Sequence, residues 1–152
     1  MKIDLHIHTR TGSDGNLPIE EVFQEAKNRN IDLISITDHD SIDCQERAIA
    51  LARKHGMSYI TGVELNVTFN YLEDNKDVSL DFLGYGYDIG NQELKSKLRL
   101  IKEHRARRAR QILENLNVEF DKEGMERFTE EDLRKIEAVS YTHLTLPTTP
   151  YV

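Results

Sequence analysis

At 152 residues, with 38% hydrophobic and 31% charged side chains, the chain has the make-up of one soluble globular domain and is not disordered by composition. No apolar run approaches the ~20 residues of a membrane helix, and the first strand-like segment carries Asp4, His6 and His8, which a signal-peptide core would not tolerate; the cytoplasm is the expected compartment, with no membrane partner. A formal charge of −7 argues against a surface that coats nucleic acid wholesale, although bound metal ions let an acidic protein act on phosphates by supplying positive charge.

Lys2 to His8 alternates, with Ile3, Leu5 and Ile7 on one side and Asp4, His6 and His8 on the other, the period-two pattern of a strand. A turn-forming run, Thr11 to Asn16, follows. Pro18, with Ile19, Val22, Phe23 and Ala26 at helical spacing, predicts a first helix ending near Asn30. Leu33, Ile34 and Ile36 then form a short buried strand leading into Thr37, Asp38, His39 and Asp40. A second helix is predicted from about Ser41 to His55, with Ile42, Ala48, Leu51 and Ala52 on its apolar side and Gly56 as its stop. Cys44 is the one cysteine, so it forms no intramolecular disulfide, and its spacing to Ala48 and Leu51 fits packing. A third strand, Ser58 to Val63, is predicted to deliver Glu64.

Successive strand–helix units argue for a parallel sheet with helical crossovers, either a barrel or an open doubly wound sheet. In both, reactive groups collect at the C-terminal strand ends, where His6, His8, Asp38, His39 and Glu64 all fall. Two β-rich runs, Leu65 to Tyr71 and Val78 to Gly84, flank the polar stretch Glu73 to Asp77 and predict a hairpin inserted over the site. A long helix from Gln92 to Asn117 follows, and a short one from Thr129 to Glu137, capped by Thr129 with Asp132 three residues on. The long helix is basic, and Arg105 and Arg108 are candidate phosphate contacts; nearby Glu103 and Glu114 keep an ordinary solvated face as the plainer reading.

All 47 charged residues lie in the first 138 positions, and Val139 to Val152 contains none. Val139 to Thr149 is similar to one reading frame of an adapter used in transposase-based sequencing libraries. Residues 1–138 are therefore expected to be the natural, incomplete domain and 139–152 a translated artefact, so His143 is not counted as a ligand. A genuine Thr-rich strand is the alternative.

His6 and His8 lie two residues apart on a strand, so both project from one face and can share an ion; two partly exposed strand histidines would look the same. Asp14, in Ser13-Asp14-Gly15, has an ordinary turn aspartate as its alternative. His39 stands between Asp38 and Asp40, and Asp38 is expected to orient an imidazole from behind, with Asp40 alongside. Glu64, where a strand ends, is a carboxylate that could bridge two ions. The conjunction is what counts: five ligand-type residues in order, at successive strand ends, point to a shared metal site.

The segments DLHIHTRTGSDG, ITDHD, GVE and LGYG, in this order, resemble the successive motifs of the PHP (polymerase and histidinol phosphatase) family of phosphoesterases. The resemblance implies an α/β fold, a distorted (β/α)7 barrel truncated here to roughly its first half, with the hairpin and the long helix. It also implies two or three divalent ions, Mn, Fe or Zn. His6, His8 and Glu64 would hold the first, Glu64 would bridge to the second, and Asp14 and His39 would hold the third. Asp81 stands where family members often carry a histidine; as a ligand it would make a harder site favouring Mn over Zn, and an outward polar residue is the open alternative. The family's later ligands would lie beyond Ala138.

The implied activity is hydrolysis of a phosphomonoester or terminal phosphodiester on a nucleotide or short RNA by a metal-activated water, with no catalytic side chain beyond the metal centre. The alternatives are the PHP module of a DNA polymerase III-type or error-prone polymerase, histidinol phosphatase, or a scaffold without activity; the long helix directly after LGYG fits a stand-alone phosphoesterase. Half a barrel leaves an unpaired edge, so the 152-residue chain itself is expected to aggregate or bind metal weakly and to be inactive.

Overall fold

The computed structural model describes residues 1–71 and 76–132, with the side chains of 70–77 left aside. The chain divides into two compact units, Met1–Lys95 and Ser96–Val152.

In the first unit, β1 (Ile3–Ile7), β2 (Leu33–Ile36) and β3 (Ser58–Tyr59) form a parallel sheet in the order β1-β2-β3. Ile3 pairs with Leu33 and Ile34 with Tyr59. The crossovers are α1 (Ile19–Asn28) and α2 (Gln45–His55). Two crossovers stepping in the same direction place both helices on one face of the sheet. There Phe23, Ile19 and Ala26 of α1 and Ala48, Leu51 and Ala52 of α2 close on Ile34 and Ile36, all of them buried. Burying Phe23 alone is worth about 2–3 kcal/mol.

Both helices start later than their sequence patterns suggest. Pro18 precedes α1 in extended conformation and offers no side-chain cap; Thr11 Oγ1 accepts from the Ile19 amide at 3.1 Å instead. Residues 41–44 are not helical, and α2 closes at Gly56 in the left-handed region (φ 70°). Asp40 is also left-handed (φ 47°), the tight turn by which the chain leaves the end of β2.

The expected third strand is a correction. The parallel ladder of β3 ends at Tyr59, and Glu64, apart from one isolated parallel bridge to His39, belongs to a new strand, β4 (Gly62–Tyr71), in continuous antiparallel register with β5 (Lys76–Tyr85) from Gly62↔Tyr85 to Tyr71↔Lys76. The hairpin therefore begins before Glu64 rather than after it. Its expected turn falls largely on 72–75, outside the described residues. A Cβ at Gly62 would sit 2.2 Å from Ser35 Oγ, so only glycine lets β4 come this close to β2. Among the described residues the strands make this open sheet and hairpin and not a closed barrel.

Paired hairpin residues share a face. Glu64, Asn66 and Thr68 with Leu83, Asp81 and Ser79 make one, mostly polar; Leu65, Val67 and Phe69 with Phe82, Leu80 and Val78 make the other, apolar one. On the apolar face Phe69, Val78, Leu80 and Phe82 stay about half exposed.

The second unit contains most of α3 (Gln92–Glu123), which runs past the Asn117 stop expected from sequence. Asn117 is buried and ties down the returning chain, its side chain donating to Phe128 O at 2.9 Å and accepting from Phe128 N at 2.8 Å. A helical turn begins at 130 behind the expected cap: Asp132 Oδ2 accepts from Thr129 N and Oγ1, at 2.9 and 2.7 Å. The rest of that helix, the change expected at Val139 and His143 lie outside the described residues. Among the described residues no helix is long and apolar enough to cross a membrane.

Candidate metal centre

β1 ends where its outward-facing residues are His6 and His8, and β4 passes alongside with Glu64. Their donor atoms converge. His6 Nε2 lies 3.0 Å from His8 Nε2 and 2.9 Å from Glu64 Oε2, and His8 Nε2 lies 2.7 Å from the same carboxylate oxygen. Asp14 takes the other side of the His8 ring, its Oδ1 2.8 Å from His8 Nδ1. In a neutral imidazole so placed, the proton on Nδ1 is donated to Asp14 and the Nε2 lone pair faces Glu64 and His6.

His39 reaches the cluster from the end of β2. A parallel bridge joins it to Glu64, with Asp40 N donating to Glu64 O at 2.8 Å. Its Nε2 stands 3.6 Å from Glu64 Oε2 and 3.9 Å from Asp14 Oδ2. Its Nδ1 is buried with no hydrogen-bond partner among the described residues. Asp81 approaches from β5 on the face it shares with Glu64, and its Oδ1 also accepts from Asn66 Nδ2 at 2.7 Å. Three overlapping groups could each hold an ion: His6, His8 and Glu64; His8, Asp14 and His39; His39, Glu64 and Asp81.

The donor set suits divalent cations. Two imidazole nitrogens and a carboxylate oxygen 2.7–3.0 Å apart are mutually repulsive unless a proton or cation sits among them. Donors bound to one first-row ion at about 2.0–2.2 Å stand roughly 3 Å apart, the spacing seen here. Glu64 is almost fully buried, yet among the described residues it pairs with three imidazoles and with no lysine or arginine. Tyr85 borders this region: burial, and next the Glu64 carboxylate, push its hydroxyl above the usual range, and it donates to Leu5 O at 2.7 Å.

The structure thus brings together His6, His8, Asp14, His39, Glu64 and Asp81. Asp38 is the correction. Neighbouring strand residues point to opposite faces, so Asp38 turns away from the His39 ring. Its buried carboxylate accepts from Thr9 N, Ser13 Oγ and Cys44 Sγ, and among the described residues no imidazole is a partner. Asp40 is buried beside the cluster. Arg105, half-buried, and Arg108, exposed, lie on α3 in the second unit.

Sequence reasoning missed Gln45. It is fully buried, and its Nε2 donates to Ile36 O at 3.0 Å and Gly62 O at 2.9 Å, while its Oε1 accepts from Tyr59 Oη at 2.8 Å. One side chain therefore ties the end of the strand before His39 to the start of the strand bearing Glu64. The signal was available: a polar residue on the buried stripe with Ala48 and Ala52. Cys44, at the start of α2, is buried; burial, and then the Asp38 carboxylate, push its thiol far above the usual range.

The family model described as PHP domain matches residues 4–146. A 3′,5′-nucleoside bisphosphate phosphatase of Chromobacterium violaceum is 36% identical over 110 residues, 72% of this chain and 36% of the relative. A 5′-3′ exoribonuclease of Haemophilus influenzae is 29% identical over 115 residues, 76% of this chain and 39% of the relative. Among solved structures, an amidohydrolase from Chromobacterium violaceum with bound sulfate and no metal superposes with a TM-score of 0.67 at 35% identity, over 78% of this chain and 39% of that one. The chain spans well under half the length of these relatives.

Proposed function

The chain belongs to the PHP domain family, and from that membership and its clustered donors we propose that the protein is a metal-dependent phosphoesterase acting on a nucleotide or short RNA. The observation that carries this reading is the convergence of His6 Nε2, His8 Nε2 and Glu64 Oε2 within 3.0 Å of one another. Bound divalent ions there, Mn, Fe or Zn, would supply the charge that activates a water and steadies the phosphoryl oxygens.

The chain's own residues have distinct tasks. His6, His8 and Glu64 hold one ion, and Glu64 also faces the place served by His39 and Asp81. Asp14 keeps the His8 proton on Nδ1, which frees Nε2 as a ligand, and turns its second oxygen toward His39. The carboxylates of Asp14, Glu64 and Asp81 bring the negative charge that divalent ions offset, and Asp81 makes the third group an oxygen-richer site suited to Mn. The relatives' printed activities, a bisphosphate phosphatase and an exoribonuclease, support nucleotide-type phosphate esters as the substrate class.

The test is adenosine 3′,5′-bisphosphate with and without Mn2+, following bisphosphate binding by calorimetry. The reading predicts binding only when Mn2+ is present, abolished by Glu64→Gln. Metal-independent binding that survives Glu64→Gln would contradict it.

A further inference from the structure

We propose that Asp38 is a positioning residue for the pocket formed by His8, Asp14 and His39, acting through the Thr9–Ser13 loop; this rests on the metal-centre reading above. Asp38 is completely buried. Its Oδ1 accepts from Thr9 N at 2.6 Å and from Ser13 Oγ at 2.9 Å. Its Oδ2 accepts from Thr9 Oγ1 at 3.0 Å and from Cys44 Sγ at 2.9 Å. No lysine or arginine pairs with it among the described residues, so neutral donors alone solvate this carboxylate, and most of them come from one loop.

That loop has a ligand candidate at each end. Thr9 follows His8 and Ser13 precedes Asp14, and those two side chains meet at 2.8 Å. One carboxylate oxygen therefore fixes both ends of the segment that must bring His8 and Asp14 together, while Asp38 is joined covalently to His39. The loop closes on itself around the carboxylate: Gly12 N donates to Thr9 Oγ1 at 2.9 Å and Ser13 N to Thr9 O at 2.9 Å. A Cβ at Gly12 would lie 2.0 Å from Asp38 Oδ2, so the wrap leaves room for glycine only. The device works at the level of the backbone, which explains why Asp38 can matter to the pocket without touching an imidazole.

Two readouts on the 152-residue protein separate this inference from the metal reading it rests on. In metal-free protein, the Thr9 amide is expected to exchange slowly with solvent and to lose at least tenfold of that protection in Asp38→Asn, while the amides of Ile34 to Ile36 keep theirs. In Mn2+ titrations, Asp38→Asn is expected to weaken the ion held by Asp14 about 10–100-fold, the usual cost of removing an outer support. The double variant Asp14→Asn/Asp38→Asn should be no weaker than Asp14→Asn alone, because both act on one pocket. Ser13→Ala, which removes one donor to Asp38 and lies outside the apolar core, should show the same pattern at several-fold. A Thr9 amide that exchanges freely in the native protein, or additive losses in the double variant, would overturn the role given to Asp38. Failure of the native protein to bind Mn2+ would count against the metal reading, and the Thr9 amide would still decide whether Asp38 holds the loop.

Discussion

Replacing Gln45 with leucine keeps the volume of the side chain and removes its hydrogen bonds. The Ile36 carbonyl and the Tyr59 hydroxyl lose their Gln45 partner, and so does Gly62 N, whose bond to Gln45 Oε1 is long at 3.4 Å, while Gly62 O keeps a donor in Tyr87 Oη at 2.7 Å. The two short bonds lost cost about 1–3 kcal/mol each, the long one adds little, and the more apolar leucine returns about 1 kcal/mol, which gives a net loss of about 3 kcal/mol. Because the chain has two units, the loss should be read within the first one, by native-state hydrogen exchange at the β2 amides of Ile34 to Ile36. About 3 kcal/mol corresponds to exchange roughly 100-fold faster. The same change loosens the link between the strands that bring His39 and Glu64 together, so Mn2+ affinity should fall as well. A change in exchange below about threefold would refute the role given to Gln45.

Asp81→Ala should weaken the ion held with His39 and Glu64 by about tenfold or more in Mn2+ titrations and leave the ion of His6 and His8 in place; equal loss at both would show that Asp81 acts indirectly. Cys44, buried and with its thiol pushed far above the usual range, should resist a thiol reagent at pH 8 in the native protein and react fully in denaturant; rapid native labelling would contradict the buried hydrogen bond to Asp38. Arg105→Ala with Arg108→Ala should weaken binding of a 5′-phosphorylated oligoribonucleotide several-fold and flatten its salt dependence by up to two contacts; an unchanged salt slope would place these arginines outside the substrate path.

Much of the site could be read from the sequence because strand alternation is a strict geometric rule. The alternation of Ile3, Leu5 and Ile7 with His6 and His8 implies one polar face, and the two imidazole nitrogens do meet at 3.0 Å. The same rule, applied to Asp38 and His39, would have sent the two side chains to opposite faces; adjacency in sequence suggested a carboxylate behind an imidazole where the fold uses it to hold a loop. The path through Ser58 to Tyr71 was harder to foresee. A continuous β-forming run does not reveal where parallel pairing with β2 gives way to antiparallel pairing with β5, and that switch depends on the close approach of Gly62 to Ser35. Gln45 was passed over because helical periodicity selects apolar residues, whereas its role depends on two carbonyls that only the folded chain brings within reach. Asn117 read as a helix stop for a similar reason: its partner, Phe128, lies 11 residues away along the chain.

The most direct measurement is a calorimetric titration of Mn2+ into the metal-free protein, repeated for His6→Ala and Glu64→Gln. Weak but saturable binding is expected in the native chain, with at least a tenfold loss of affinity in each variant, since each removes a donor from the atoms that converge within 3.0 Å. Absence of binding, or affinity that both variants leave unchanged, would contradict the claim that these side chains form a metal centre.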